Sequence, residues 1–366
     1  MQTSASPTGT PRPSLRDRVI RLAELATTPL LPADYLDLVA PLRAGAALRG
    51  RIEAVHPETR DAASLVIRPG RDWAPHVPGQ WVRIGVDVDG VRLWRAYSIT
   101  SVLGRPDGCF TVTVKAIPGG VVSHHLVHRT RPGTLVHLDQ ATGEFVQPAV
   151  RPGKVLFLTA GSGITPVMGM LRNWAPDDRA DIVLVHSAPT ADDVVFGAEL
   201  RAMAAAGRIR LLERHTDTAG LLAPADLAAL VPDLAERTAW ACGPAGMLDA
   251  LQEHWAAAGL SGALHTERFR PAVAATGGEG GTVSFTATGA RVDADGDTPI
   301  LDAAEAAGVL MPSGCRMGIC FGCVLPLREG AVRDLRTGEV TTASPGDGVV
   351  VQTCISAAAG ACAIDH

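Results

Sequence analysis

The stretch that decides the fold is CRMGICFGC, residues 315–323, which places three cysteines within nine residues. Four residues separate Cys315 from Cys320, two separate Cys320 from Cys323, and thirty more precede Cys354. This C-x4-C-x2-C spacing with a distant fourth cysteine is typical of a plant-type 2Fe-2S site. Three thiolates on one tight loop hold one side of such a cluster, and the fourth closes it from elsewhere. The sequence therefore predicts a 2Fe-2S cluster bound by these four cysteines.

A structural zinc site is the alternative at these cysteines. Zinc is usually bound by paired short C-x2-C units or by Cys/His pairs, and the chain contains only one such unit. The total of seven cysteines is odd, which argues against a disulfide framework. Cys109 and Cys362 are interpreted as buried or free thiols without a further role.

Length, composition and charge exclude several classes of protein. At roughly 150 residues per domain, 366 residues predict two or three domains. No apolar run approaches the roughly 18 residues of a membrane-spanning helix, and no secretory signal is visible. We therefore expect a cytoplasmic protein without a transmembrane segment of its own. A net charge of −5 has the wrong sign for binding nucleic acid.

Changes in the apolar pattern predict a multidomain protein. Residues 1–45 are predicted as a helical extension, with helices over 14–26 and 34–39. Residues 46–150 contain short alternating strands and an Asp89-Gly90 turn, which predict an antiparallel β-barrel. The predicted strands are Arg49–Val55, Ala63–Ile67, Trp81–Val88, Val91–Ile99 and Phe110–Ala116.

The remaining residues predict two further domains. In residues 151–270 strands alternate with helices, which predicts a doubly wound α/β domain with a parallel sheet. Residues 271–281 are small and glycine-rich and are predicted as a flexible linker to the cluster domain, residues 282–366. The cluster domain contains ten acidic residues and five arginines, so it carries all of the net charge. This charge favours a basic docking face on an electron acceptor, although a merely solvated acidic surface remains the alternative.

Two motifs in the predicted barrel point to a flavin nucleotide. Arg95-Ala96-Tyr97-Ser98 ends a predicted strand, and Gly119-Gly120-Val121-Val122-Ser123 opens a predicted helix. An aromatic ring can cover an isoalloxazine, Arg95 can neutralise a pyrophosphate, and Ser123 with N–H groups at a helix start can bind the same phosphates. A purely structural Tyr97 is the alternative.

A third motif, Ala160-Gly161-Ser162-Gly163-Ile164-Thr165-Pro166, follows a buried strand and opens a helix. It offers a tight turn, a close backbone approach and a helix N-terminus for a dinucleotide pyrophosphate. Proline in the first turn suits a helix start. The motif therefore predicts a nicotinamide dinucleotide site.

Taken in order, RAYS, GGVVS, AGSGITP, ACGPAGM, HTERF and CRMGICFGC resemble the ferredoxin-NADP reductase superfamily with a C-terminal plant-type ferredoxin domain. The resemblance covers roughly residues 46–366 and implies an α+β β-grasp fold for the cluster domain. It implies catalytic roles for Ser98 near the flavin N5, for Cys242 beside the nicotinamide and for Glu267 near the flavin face. The FAD and NAD(P) contacts that it implies are Arg95, Tyr97, Ser98, Gly119, Gly120, Val122, Ser123, Gly161, Gly163, Thr165, Pro166, Cys242, Gly243, Pro244 and Phe269.

The choice between NADPH and NADH depends on the ends of the second and third strands of the α/β domain. The second strand ends in His186-Ser187, without an acidic residue for a ribose 2′-hydroxyl, and the third ends in Arg214-His215. Ser187 and Arg214 suit a 2′-phosphate. We therefore predict NADPH, with NADH as the alternative. Arg214 has the alternative role of a surface ion pair with Glu213 or Asp217.

The expected function is electron transfer from NADPH through FAD and the 2Fe-2S cluster to an iron enzyme. The segments YLDLVAPL and LRGRI are similar to actinobacterial reductases of membrane-bound acyl-CoA desaturases. A membrane di-iron desaturase or hydroxylase is thus the first predicted acceptor, which would recruit the chain to the membrane. The reductase component of a soluble Rieske-type or aromatic-CoA oxygenase is the alternative, and a regulatory subunit with a zinc site is a distant one.

Three histidines, His124, His125 and His128, lie on one predicted helix. His124 and His128 have the i, i+4 spacing of some metal sites, but no glutamate accompanies them. We interpret them as surface or packing residues.

Overall fold

The structure is a computed structural model, and it describes residues 37, 39–174, 180–269, 278–314, 316, 318 and 321–366. The predicted helix over 14–26 lies outside these residues, as does the helix over 34–39 except for Asp37 and Val39. Within the described parts of the chain, no helix is both long and apolar enough to cross a membrane.

The first sheet is six-stranded and antiparallel, in the order β4-β3-β6-β1-β2-β5. A bridge between Ile99 and Val112 joins the ends of β4 and β5, and so closes the sheet into the predicted barrel. Its interior is filled by branched apolar side chains. The strands are β1 Arg49–Thr59, β2 Ala62–Pro69, β3 Trp81–Val88, β4 Val91–Ser98, β5 Phe110–Lys115 and β6 Leu135–Leu138.

The predicted hairpin between β3 and β4 is confirmed. Asp89 and Gly90 both have positive φ angles, of 50° and 82°, as a two-residue turn of the mirror-image type requires. After β5 the chain forms helix α1 (Val121–His124), which continues as one π-helical turn, His125–Arg129. Both elements cover the barrel and bury Val122 and Leu126 in its core.

The second sheet is five-stranded and parallel, in the order β11-β10-β7-β8-β9. Its three central strands contain near-continuous buried runs because both faces of the sheet are covered. The strands are β7 Lys154–Ala160, β8 Asp181–Ala188, β9 Arg210–His215, β10 Thr238–Cys242 and β11 Leu264–Glu267. The helices are α2 Ile164–Arg172, α3 Gly197–Ala205, α4 Thr216–Ala219, α5 Leu227–Leu230 and α6 Ala245–Ala257.

The third sheet is mixed, in the order β13-β12-β17-β14-β15, with β16 paired to β14. Strands β12 and β17 are parallel and the other pairs are antiparallel, with helix α7 (Ile300–Ala306) packed on the sheet. This is the predicted α+β cluster domain. The strands are β12 Gly281–Phe285, β13 Arg291–Ala294, β14 Val324–Asp334, β15 Val340–Ala343, β16 Val350–Gln352 and β17 Ser356–Ile364.

The C-terminal end of the predicted linker 271–281 needs a correction. Gly281 is the first residue of β12 and pairs with Ala294, and a Cβ on Gly278 would lie 3.0 Å from the backbone of Gly296. Residues 278–281 are therefore packed against the third sheet, because glycines allow the two backbones to approach. Residues 271–277 lie outside the described part of the chain. The other domain boundaries stay a prediction.

Candidate functional site

The RAYS motif lies at the end of β4, where the barrel closes. Ser98 is buried, and its Oγ has no hydrogen-bond partner among the described residues. Burial raises the pKa of the Tyr97 phenol, which keeps the ring neutral. Arg95 Nη1 donates to the Trp94 carbonyl at 2.7 Å, and burial, assisted by the charge of Arg316, lowers the pKa of Arg95. A half-buried cation and a buried hydroxyl without a partner among the described residues suit an anionic, polar ligand.

The GGVVS motif forms a tight turn at the start of α1. Gly119 has a φ of +72°, and a Cβ on Gly120 would lie 2.6 Å from Ile117 Cγ1, so both positions favour glycine. Ser123 Oγ donates to the Gly120 carbonyl at 3.0 Å and accepts from the Ile117 N–H at 3.3 Å. The Ser123 hydroxyl thus stabilises the turn among the described residues, and its predicted phosphate contact stays a prediction. The Val122 side chain is buried in the barrel core.

The AGSGITP motif forms a single 3-10 turn between β7 and α2, with Gly161 at a φ of +53°. Thr165 Oγ1 donates to the Ser162 carbonyl at 2.9 Å, and Pro166 lies buried in the first turn of α2. A Cβ on Gly163 would lie 2.5 Å from the carbonyl carbon of Cys242 and 3.0 Å from Gly243 N. The glycine therefore allows the AGSGITP loop and the ACGPAGM loop to touch, backbone against backbone.

Helix α2 also joins the α/β domain to the barrel. A Cβ on Gly169 would overlap the Ile99 carbonyl oxygen, so the helix lies directly on the barrel strand. Arg172 Nη1 donates to the Thr100 carbonyl at 2.7 Å, and Asn173 Nδ2 donates to the Ser101 carbonyl at 3.0 Å. The helix that begins at the dinucleotide motif thus ends against the residues that follow Ser98. Sequence reasoning missed these contacts, because nothing local marks an arginine or asparagine as bonding a distant carbonyl.

Cys242 and Glu267 are paired at the ends of β10 and β11. Cys242 is 0% exposed, and its burial raises the pKa of the thiol, so it stays protonated. Burial raises the pKa of Glu267 to about 8, and Oε2 has no hydrogen-bond partner among the described residues. Beyond Cys242, a Cβ on Gly243 would lie 2.5 Å from Met247 Cε, and Pro244 precedes α6. The structure therefore brings together a neutral thiol and a protonated carboxyl beside the contact of the two loops.

Phe269 follows this pair and is 38% exposed, so its ring is available to a ligand or a neighbouring chain segment. Its neighbour Arg268 is held by Asp249 Oδ1 at 2.6 Å and Gln252 Oε1 at 2.7 Å. These bonds anchor the HTERF segment on α6.

Ser187 and Arg214 are register partners on β8 and β9. Ser187 Oγ is buried without a hydrogen-bond partner among the described residues. Arg214 Nε donates to the Gly220 carbonyl at 2.9 Å, and Nη2 donates to Ala219 at 2.7 Å and lies 3.3 Å from Asp226 Oδ2. Arg214 thus makes a surface ion pair with Asp226, whereas Glu213 is engaged by Arg201 and His215. Whether Arg214 also contacts a 2′-phosphate stays a prediction.

Two of the four predicted cluster ligands can be placed. Cys323 and Cys354 are both buried in the third domain. Thr353 connects them, because its N–H and Oγ1 both donate to the Cys323 carbonyl, at 3.2 and 3.0 Å. Gly318 has a φ of +73°, and its carbonyl accepts from Gln352 Nε2 at 3.0 Å. Cys315 and Cys320 lie outside the described residues.

The His124 and His128 rings lie 5.5 Å apart between centroids. Within the residues that the structure describes, no group of three metal-ligating side chains includes them. Their interpretation as surface or packing residues stays a prediction.

The residues fit the expected cofactors. Ser98 Oγ, Ser187 Oγ and Glu267 Oε2 are buried polar atoms that need a partner, which a bound dinucleotide can supply. Buried cysteine sulfurs at Cys323 and Cys354 are the donor type that iron-sulfur clusters take.

Three family descriptions match the chain in the order of its sheets. Residues 71–146 match an oxidoreductase FAD-binding domain, 157–253 an oxidoreductase NAD-binding domain, and 285–359 a 2Fe-2S iron-sulfur cluster binding domain. The third match favours the cluster over the zinc alternative.

Related proteins match over most of their length. An NADPH oxidoreductase of Mycobacterium tuberculosis is 49% identical over 350 residues, covering 94% of this chain and 91% of that protein. A glycine betaine monooxygenase reductase subunit of Pseudomonas aeruginosa is 31% identical over 322 residues, covering 79% of this chain and 87% of that subunit. The solved structure of phthalate dioxygenase reductase matches with a TM-score of 0.60 at 21% sequence identity, over 87% of this chain and 97% of that one. At this identity the match supports the fold alone.

The predicted cofactors and enzyme class are thereby confirmed. FAD, NAD(P)H and a 2Fe-2S cluster are the redox groups of this oxidoreductase. The chain belongs to the ferredoxin-NADP reductase superfamily, as a flavoprotein with a C-terminal plant-type 2Fe-2S ferredoxin domain.

Proposed function

We propose that the chain is the NADPH-dependent reductase component of a separate iron oxygenase or desaturase. The main structural support for the proposal is the path of helix α2. It begins at the AGSGITP loop, where Gly163 touches the Cys242 backbone, and it ends against the carbonyls of Thr100 and Ser101, just after Ser98. Helix α2 thus connects the loop that carries predicted nicotinamide contacts to the chain just after the strand that carries predicted flavin contacts.

Bound FAD supplies the chemistry that converts the two-electron reductant NAD(P)H into single electrons for the cluster. The chain's own part is to bind and orient. Arg95 would neutralise the FAD pyrophosphate, Tyr97 would cover the ring, and the buried Ser98 Oγ would hydrogen-bond its polar edge. The AGSGITP loop would receive the NADPH pyrophosphate over Gly161, as its open left-handed turn allows.

Glu267 is assigned a proton-holding role beside these groups. Because burial raises its pKa to about 8, its carboxyl keeps a proton at neutral pH and can donate a hydrogen bond. Cys242, fully buried and neutral, would pack against the nicotinamide without introducing charge. Phe269 would lie over the outer part of the same site.

The preference for NADPH rests on Ser187 and Arg214. A 2′-phosphate at this position would meet the buried Ser187 Oγ and the Arg214 guanidinium. Among the described residues, the contacts of Arg214 use Nε and Nη2, which leaves Nη1 as a donor for the phosphate. The relative named an NADPH oxidoreductase supports the same choice.

Two acceptor classes have support. The similarity of YLDLVAPL and LRGRI to desaturase reductases favours a membrane di-iron desaturase or hydroxylase, which would recruit the chain to the membrane. The relative that serves glycine betaine monooxygenase favours an oxygenase. The acidic charge of the cluster domain suits a basic docking face on either acceptor.

Acceptor-dependent NADPH oxidation tests this function. The holoenzyme is mixed with NADPH and either a purified membrane di-iron fatty acyl desaturase in vesicles or a Rieske-type oxygenase component, each with its substrate. Substrate-dependent NADPH oxidation with one acceptor supports the proposal and identifies its class. If neither acceptor is reduced while ferricyanide is, the enzyme is a reductase but the proposed partner class is wrong.

A further inference from the structure

Arg172 is the last residue of helix α2, and its guanidinium group joins three parts of the chain. Nε and Nη2 bind the two carboxylate oxygens of Glu199 at 2.9 and 2.6 Å, which ties α2 to helix α3. Nη1 donates to the carbonyl of Thr100, two residues after Ser98, at 2.7 Å. All three nitrogens of one planar group are therefore used, and the rigid fork fixes the angle between the partners.

The contacts of Arg172 are shielded from water. The Arg172 side chain is 20% exposed and Thr100 is fully buried, so water screens and competes with these bonds little. The guanidinium carbon also lies 4.8 Å from the centroid of the buried Phe196 ring. Phe196 directly precedes α3 with a φ of 61°, a left-handed conformation that persists only where surrounding contacts enforce it.

The next residue, Asn173, adds two bonds across the same boundary. Its Nδ2 donates to the Ser101 carbonyl at 3.0 Å, and its Oδ1 accepts from the Leu103 N–H at 2.8 Å. Nδ2 also donates to the Gly169 carbonyl within α2 at 2.7 Å, which fixes the orientation of the amide. Exchange of the Leu103 amide hydrogen therefore reports whether α2 and the barrel stay in contact.

The parts of the chain that meet at Arg172 each lead to a predicted cofactor contact. Helix α2 begins at the AGSGITP loop, Thr100 follows the strand that ends with RAYS, and α3 is the next helix after β8, which carries Ser187. Because α2 has nine residues, Arg172 lies about 12 Å along the axis from its first residue. Arg172 thus acts on the dinucleotide loop through the helix.

We propose that Arg172 is a positioning residue for hydride transfer, because it holds the α/β domain at a fixed angle to the barrel. The inference rests on the proposed function, in which a hydride passes from the nicotinamide C4 of NADPH to the flavin N5, so that NADPH is oxidised and FAD is reduced. A tilt of α2 by about 5° about Arg172 would move the start of the helix by about 1 Å. A displacement of that size costs about 100-fold in rate.

The same geometry predicts that the affinity for NADPH is spared. The predicted NADPH contacts at Gly161, Ser187 and Arg214 all lie within the α/β domain, which tilts as a unit. A change at Arg172 therefore lowers the rate of the chemical step and leaves the Kd of NADPH nearly unchanged.

The test is stopped-flow measurement of the loss of flavin absorbance when NADPH is mixed with the holoprotein without an electron acceptor, together with hydrogen exchange followed by mass spectrometry. In Arg172→Gln we expect the limiting rate to fall about 100-fold and the Kd of NADPH to stay within about threefold. Exchange at Leu103 should be at least about tenfold faster. Arg172→Lys keeps the charge but not the planar fork, so it should restore neither the rate nor the protection to the wild-type value.

The matched control is Arg201→Gln. Arg201 binds both carboxylate oxygens of Glu213 at 2.8 Å, but this fork ties α3 to β9 within the α/β domain. The control should therefore keep the wild-type limiting rate and the wild-type exchange at Leu103. A loss of stability alone would lower the amount of folded protein but not the limiting rate of the folded fraction.

An unchanged limiting rate or unchanged Leu103 exchange in Arg172→Gln would overturn the proposal, as would an equal fall in Arg201→Gln. If Arg172→Gln does not fold, Arg172→Lys decides by the same two measurements. Wild-type flavin that NADPH does not reduce would contradict the proposed function itself and this proposal with it. Because no acceptor enters the assay, a wrong acceptor class would leave the result for Arg172 intact.

Discussion

Replacing Gly163 with alanine tests the contact that brings the AGSGITP and ACGPAGM loops together. The new Cβ would lie 2.5 Å from the Cys242 carbonyl carbon and 3.0 Å from Gly243 N, whereas ordinary contacts lie at 3.4–4 Å. Both obstacles are backbone atoms, so no side chain can rotate away. One loop must therefore move by about 1 Å, and a displacement of that size at a reacting site costs about 100-fold in rate. Overpacking of this kind also destabilises by about 1–3 kcal/mol.

The assay is kcat/KM for NADPH with ferricyanide as acceptor, measured beside the free energy of unfolding in urea. We expect kcat/KM to fall about 100-fold in Gly163→Ala. The matched control is Gly153→Ala, which has no atom within 4 Å of the new Cβ and an ordinary φ angle. Gly153→Ala should keep the wild-type kcat/KM, and its free energy of unfolding should lie within about 0.5 kcal/mol of the wild-type value. A folded Gly163→Ala protein with kcat/KM within threefold of wild type would refute the reasoning.

Three further changes have defined outcomes. Burial raises the pKa of Glu267 to about 8 from an ordinary value of 4.5, so the free energy of unfolding of the wild type falls as pH rises between these values. In urea titrations, Glu267→Gln should therefore become more stable relative to wild type as pH rises from 5 to 9. A stability difference that stays constant with pH would contradict the assignment. Arg214→Ala should raise KM for NADPH about tenfold, since about 1.4 kcal/mol of a charge-assisted hydrogen bond is lost, and equal effects on the KM of NADH would remove Arg214 from the phosphate site. Cys323→Ala and Cys354→Ala should each abolish iron binding in elemental analysis while Cys109→Ala retains it, and full iron content in either would exclude that ligand.

Local patterns predicted five of the six barrel strands and missed β6, and one boundary shows a further limit. The prediction ended β1 at Val55, whereas the strand continues to Thr59 through Pro57. Proline is tolerated because β6 pairs only with residues 49–51 of β1, so Pro57 needs no N–H donor on that side. Whether a second strand pairs with this stretch depends on the tertiary structure, which a short segment of sequence does not determine.

In the candidate site, motif residues that touch their own sequence neighbours were predictable, and long-range partners were not. The Asp89-Gly90 turn follows from the residues themselves. The partner of Arg214, in contrast, is Asp226, which reaches it only because α5 packs beside β9. The Ser123 hydroxyl bonds within its own turn, a local contact, and its role on a phosphate stays a prediction.

The most direct test of the central claim is an anaerobic titration of the purified protein with NADPH, followed by visible and EPR spectroscopy with iron and sulfide analysis. Electron transfer from NADPH through FAD to a 2Fe-2S cluster predicts bleaching of the flavin, a reduced-cluster EPR signal and two irons with two sulfides per chain. Absence of iron and sulfide after anaerobic reconstitution, or zinc in their place, would contradict it.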